Sequence, residues 1–187
     1  LRNTFDRYWT FAQGRMKGEP WEAFTPYELR HVGAFIRLQQ PQRAYELLQW
    51  FRQFQRPEGW HHWAEVVWHD PKTPKFIGDM PHTWVGSDYL NSILSMFAYD
   101  HAETLVLFAG VPREWTDTQE NFGIENLHTR FGTLTLSMHR EGKTVTARVT
   151  GDAVPPEAGF IVRKPPRAAG EDVTIHTLPA EVSWAVE

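Results

Sequence analysis

Apolar positions recur every three or four residues through the first hundred residues, and every second residue beyond about 130. The first period is that of a helix with one buried stripe, the second that of a strand with one buried face. Phe5, Tyr8, Trp9, Phe11 and Ala12 predict a helix over residues 1–16, closed by a loop containing Gly18 and Pro20. Thr25-Pro26-Tyr27-Glu28 has the form of a capping box with proline at the first helical position. Leu29, Val32, Gly33, Ile36 and Arg37 carry that second helix to about Gln40. A third begins at Pro41, with Ala44, Leu47, Leu48, Phe51 and Phe54 as its stripe, and stops at Pro57-Glu58-Gly59. The very short link between the second and third helices predicts an antiparallel helical hairpin.

Residues 60–82 have no clear period, and Pro71, Pro74 and Pro81 exclude a long regular element. A long ordered loop with at most one short helix or strand is expected, and such loops in compact domains are often functional. Helical spacing returns over 83–99 with Val85, Tyr89, Ile93, Met96 and Phe97, widened by Leu90 and Leu94. Leu105 to Phe108 reads as a buried strand ending at Gly110, and Val111 to Trp115 as a turn. Alternation over Thr133–Met138 and Thr144–Val149 around Glu141-Gly142 predicts a hairpin with one buried face. Further strands are expected at 159–162, 173–175 and 182–186, separated by Pro155-Pro156 and Pro165-Pro166. The class is α+β with two segregated domains: helical over 1–103, β over 104–187.

Composition narrows the function. The net charge of −4, with Lys and Arg scattered, argues against a nucleic-acid binder. The chain has no cysteine, which excludes disulfides and thiolate metal sites. No apolar run is long enough to span a bilayer, so no membrane partner is expected. Nine Trp, twelve Phe and five Tyr make the chain 14% aromatic. Indoles fill cores, and they also give flat apolar faces with a polar handle, which suit the C–H faces of sugars. Most of these Trp are expected in the core. Gly59–Gly110 holds the densest mixture of aromatic, histidine and carboxylate residues, so chemistry is expected there.

The order of elements and motifs resembles the C-terminal half of six-hairpin (α/α)6-barrel glycoside hydrolases, nearest to the α-L-rhamnosidases. Trp63-Ala64-Glu65 stands where that family has a Trp–Glu motif, and Pro81-His82-Thr83-Trp84-Val85-Gly86-Ser87 where it has a His and Gly-Ser stretch. Gly110-Val111-Pro112 precedes the β region, and Arg130-Phe131-Gly132 opens its main hairpin. The pattern departs from the family at Ala64, between Trp63 and Glu65, and at Pro81, which replaces an Asn. The resemblance implies helical hairpins of a partial barrel followed by an antiparallel β-sandwich. It implies inverting hydrolysis of a terminal glycosidic bond, with Glu65 as general base. It also implies a general acid upstream of the base, for which the sequence has no clear counterpart. With only about four helices in the helical part, the chain is expected to be a C-terminal piece of a longer protein, its remainder a partner.

Glu65 stands among Trp60, His62, Trp63 and Trp68, neighbours able to move a carboxylate pKa in either direction. Its bland alternative is a loop acid that is exposed or paired with an Arg. His82 can donate to a sugar hydroxyl or cap the helix that follows. Asp79 can bind sugar hydroxyls or brace the loop. His62, Trp63 and Trp84 complete the substrate-binding candidates, with Trp84 read mainly as core. Asp88 is expected to stabilise a helix N-terminus, and Glu28 is a candidate partner acid that the capping box already explains. His61, His62, His69, Asp70, Asp79 and His82 lack zinc-motif spacing, so no metal and no cofactor are expected. There is no phosphate loop and no nucleophile elbow. A carbohydrate substrate is the expected ligand, and a periplasmic or secreted location is favoured by that substrate class. The rival readings are a non-catalytic carbohydrate-binding domain and a structural domain of a larger protein.

Overall fold

The computed structural model describes residues 2–70 and 75–186. The chain divides into two compact units, Leu1–Ile93 and Leu94–Glu187. The architecture is a helical cluster followed by β-sheets, an α+β arrangement.

The first unit opens with α1 (Arg2–Met16), followed by the two-residue strand β1 (Ala23–Phe24). The expected capping box does not form: Thr25 makes no side-chain cap bond, and Pro26–Leu29 is a 3₁₀ turn leading into α2 (Arg30–Arg37). Glu28 turns instead towards α1, where its carboxylate accepts from the Tyr8 hydroxyl at 2.6 Å and pairs with the Arg15 guanidinium. A charge partner from outside the turn outcompetes the backbone N–H that the local motif offered.

The helix α3 (Pro41–Arg52) follows as the spacing predicts, and it packs on α2. Ala44, Leu47, Leu48 and Phe51 are buried, against Val32, Phe35 and Ile36 of the α2 stripe. α1 closes this core, with Trp9 and Phe35 edge to face at 5.7 Å and Tyr8 stacked on His31 at 3.6 Å. Phe11, on the predicted stripe of α1, is 58% exposed, and the Arg15 guanidinium lies over its ring.

The loop after α3 holds the strand β2 (Val67–Trp68), antiparallel to β1 in the register Ala23↔Trp68 and Phe24↔Val67. Pro71 and Pro74, read as breakers of regular structure, lie outside the described residues. α4 (Thr83–Phe97) comes next. The helical reading ran to Tyr99, but the chain leaves the helix at Ala98 to form β3 (Ala98–His101). Cross-strand pairing decides this boundary: Ala98 faces Leu107 and Tyr99 faces Val106 of β4 (Thr104–Leu107). Ala102, at φ 49°, turns the chain between them.

In the second unit, Val111–Trp115 is not a simple turn, because a short helix α5 (Arg113–Asp117) starts after Pro112. The strand β5 (Phe122–Thr129) was not anticipated; a bulge between Ile124 and Leu127, with Asn126 at φ 54°, interrupts its alternation. The hairpin of β6 (Gly132–Glu141) and β7 (Thr144–Gly151) is the predicted one, pairing Leu136 with Val149 and Met138 with Ala147. Those four residues, Leu134 and Val145 are all within 1% of complete burial. The remaining strands are β8 (Phe160–Val162), β9 (Val173–Ile175) and β10 (Ala180–Ala185). They join two four-stranded sheets, β10-β7-β6-β5 and β3-β4-β8-β9. The antiparallel expectation holds for the first sheet and fails at one pair of the second, where β4 and β8 run parallel with Val106 opposite Ile161. Parallel neighbours need a long crossover, and α5 through β7 supply it.

Candidate functional site

The site lies in the first unit, on three segments brought together by main-chain hydrogen bonds. Within the loop the Val66 N–H donates to the Ile77 carbonyl at 3.0 Å, and the Glu65 N–H to the Asp79 carbonyl at 3.1 Å. The His82 N–H donates to the Trp63 carbonyl at 2.7 Å, and the His82 carbonyl accepts from Gly86 in the first turn of α4. β1 against β2 holds the loop to the chain that leads into the 3₁₀ turn, which carries Tyr27.

One ligand atom each from Glu65, Asp79 and His82 lies within 4.8 Å of the others. His82 Nδ1 stands 3.9 Å from Asp79 Oδ2, beyond hydrogen-bonding range, and the other ring nitrogen is 2.6 Å from the Tyr27 hydroxyl oxygen. The His82 side chain is 12% exposed and that of Asp79 is 87% exposed, so the cluster has a buried wall and an open edge. No described residue donates a side-chain hydrogen bond to the Glu65 carboxylate, which lies against Gly78. A Cβ at Gly78 would come within 2.1 Å of Glu65 Oε2, and Gly78 has φ +66°. Glycine is required here by both conformation and space.

Burial, and then the negative charge of Glu65, push the Tyr27 phenol above its ordinary range, with smaller contributions from Asp88 and Asp79. Arg30 opposes them: its guanidinium lies 4.7 Å from the centre of the Tyr27 ring. Arg30 Nε also donates to Asp88 Oδ2 at 2.8 Å, so the acid expected to serve the helix N-terminus pairs with a cation of α2.

The predicted site residues are divided. Glu65, Asp79 and His82 come together. Trp63 is buried at 3% exposure, its ring 5.2 Å from Tyr89, so its indole packs inside the unit. Trp84, read mainly as core, is 69% exposed, with its ring 6.2 Å from that of His82. His62 is half-buried beside the exposed ring of Trp60 and is not among the three clustered side chains. Of the histidines and acids weighed for a metal, only Asp79 and His82 join this cluster, while His69 rests 4.6 Å from Trp21. The cluster's donor set of two carboxylates and an imidazole is of a kind able to hold a divalent cation. Tyr27 escaped sequence reading because the capping-box pattern accounted for its segment, and nothing local marks a tyrosine whose partner lies 55 residues away.

The chain matches no family model, no curated protein and no solved structure. Among the described residues, no helix is long and apolar enough to cross a membrane.

Proposed function

We propose that the chain is part of a glycoside hydrolase, related in plan to the α-L-rhamnosidases, that cleaves a terminal sugar with inversion. In this reading the first unit supplies hairpins of an (α/α)6 barrel and the second a β-sandwich. The observation that carries it is the convergence of Glu65, Asp79 and His82 beside the exposed indole of Trp84. Carboxylates and an imidazole match the donor and acceptor pattern of sugar hydroxyls. An indole edge next to them offers a face for the sugar ring.

Glu65 is the general base. It takes a proton from water as the water attacks the anomeric carbon, and the bond to the leaving oxygen breaks on the opposite face. An acid and a base of an inverting pair stand about 6.5–9.5 Å apart to admit that water. Asp79 lies closer to Glu65 than this, which favours a holding role for Asp79 on sugar hydroxyls. Glu28 is engaged by Arg15 and Tyr8 and is not free to donate. The proton for the leaving oxygen comes from a second acid, which in the resembled family precedes the base in the chain.

The test is hydrolysis of a panel of aryl glycosides by the longest natural form of this chain and by its Glu65→Gln variant. Cleavage of one glycoside, with a loss of about 10²–10⁴ in the variant, is the expected result. Equal cleavage by both proteins would move the base elsewhere. Binding without cleavage by either would leave a carbohydrate-binding domain, and neither binding nor cleavage a structural one.

A further inference from the structure

His82 presents its two ring nitrogens to different surroundings. Nδ1 faces Asp79 Oδ2 at 3.9 Å, in the cluster that also contains Glu65. The other nitrogen, Nε2, meets the Tyr27 hydroxyl at 2.6 Å. Ionised carboxylates only accept hydrogen bonds, whereas a phenol both donates and accepts. In the neutral imidazole one nitrogen carries the proton and the other a lone pair. A proton on Nδ1 lies in the negative potential of the two acids, while a lone pair there would face oxygens of like charge density. The proton therefore belongs on Nδ1, and Nε2 is left to accept from Tyr27.

Tyr27 is equipped to donate. Burial and the charges of Glu65, Asp88 and Asp79 disfavour its phenolate, so the hydroxyl keeps its proton. Arg30 lies over its ring and is itself paired with Asp88. The two rings stand at 89° with centroids 5.6 Å apart, so the phenol approaches the edge of the imidazole. The backbone of His82 is anchored by its N–H on Trp63 and its carbonyl in the first turn of α4.

We infer that Tyr27 is a positioning residue that, together with the two acids, holds His82 as its Nδ1–H tautomer, so that the cluster offers a donor flanked by two acceptors to a neutral hydroxyl. The tautomer stands on this geometry alone, and its use towards a sugar hydroxyl rests on the function proposed above. A hydroxyl oxygen accepts from Nδ1–H while its own proton goes to Glu65 or Asp79. Neighbouring hydroxyls on a sugar ring supply such groups in pairs.

The experiment is long-range ¹H–¹⁵N spectroscopy of the uniformly labelled full chain at about pH 8, with the His82 signals assigned by difference from His82→Gln. The result expected in the wild type is a protonated Nδ1 and a hydrogen-bonded, unprotonated Nε2. Tyr27→Phe removes the donor to Nε2 while both acids remain, so the tautomer ratio of His82 should shift by about two- to tenfold towards Nε2–H, the worth of one hydrogen bond, with Nδ1–H still the larger share. A wild-type spectrum with the proton on Nε2 would overturn the inference, whether or not the variant folds. So would a folded Tyr27→Phe protein whose tautomer ratio is the same as that of the wild type. If the tautomer is as stated and no glycoside is bound or cleaved, the proposed function fails and the assignment of Tyr27 stands.

Discussion

The guanidinium of Arg15 and the carboxylate of Glu28 form an ion pair in which Arg15 is 5% exposed, with the rings of Phe11, Phe24 and Trp50 all within 5.3 Å of the guanidinium carbon. The pair ties α1 to the 3₁₀ turn from which Tyr27 projects. Arg15 keeps its charge at any ordinary pH, so removing its partner leaves an uncompensated charge in a nearly dry space. Glu28→Ala is expected to destabilise the first unit by about 3 kcal/mol or more, measured by urea unfolding. A cost below about 1 kcal/mol would show that water reaches Arg15 freely.

Gly78 and Glu65 give a second prediction. Gly78→Ala places a methyl group in the space of the Glu65 carboxylate and strains a backbone at φ +66°. Gly59 has φ +80° with nothing within 4 Å of a built Cβ, so Gly59→Ala carries the strain without the clash. Both variants should lose about 1 kcal/mol from conformation, and Gly78→Ala more than Gly59→Ala. Under the proposed function only Gly78→Ala should also lower turnover, because it displaces the base. Matched losses of stability and activity in the two variants would contradict the close approach.

Trp84 tests the open edge of the site. At 69% exposure its indole adds little to folding, so Trp84→Ala should change stability by no more than about 0.5 kcal/mol. If it stacks on a sugar, affinity for the preferred glycoside should fall by about two- to tenfold, an aromatic face being worth about 0.5–1.5 kcal/mol. Unchanged affinity in titration calorimetry would remove Trp84 from the site.

Stability at high pH follows from Tyr8. Burial, then the Glu28 charge and its hydrogen bond, raise this phenol well above its ordinary value of 10.0. A group whose folded pKa is raised contributes stability that is present below the unfolded pKa and lost as pH rises through the folded one. The unfolding free energy of the wild type should therefore decline above about pH 10, as the unfolded chain releases a proton that the folded chain keeps. Tyr27, also raised, adds to the decline in the same direction. Tyr8→Phe should cost about 1 kcal/mol at neutral pH for the lost hydrogen bond, and should show a shallower decline above pH 10. Parallel curves for the two proteins would show that Tyr8 titrates normally.

How much was legible in the chain differs from element to element. α3 and the β6–β7 hairpin were readable because each buries one face at its own period, and the fold leaves that face where the pattern put it. β5 was hidden because its bulge at Asn126 breaks the alternation a reader relies on. The end of α4 was misjudged because Ala98 and Tyr99 suit a helix locally, and only pairing with Leu107 and Val106 makes them a strand. Trp63 and Trp84 are chemically identical and 21 residues apart, and nothing in their neighbours tells that one is buried and the other exposed.

Local periodicity, proline and glycine punctuation, and composition were enough to establish an α+β chain with helices first and sheets after, and to draw attention to Gly59–Gly110, within which the resemblance to a glycosidase family marked Glu65 and His82, with Asp79 beside them. Those signals act between residues a few positions apart, so they survive reading one residue at a time. The pairing of Tyr27 with His82, the capture of Glu28 by Arg15, the close seat of Glu65 on Gly78 and the parallel pair of β4 and β8 were decided by the fold. Each depends on segments distant in the chain competing for one donor, one charge or one small volume, and that competition exists only once the chain is packed.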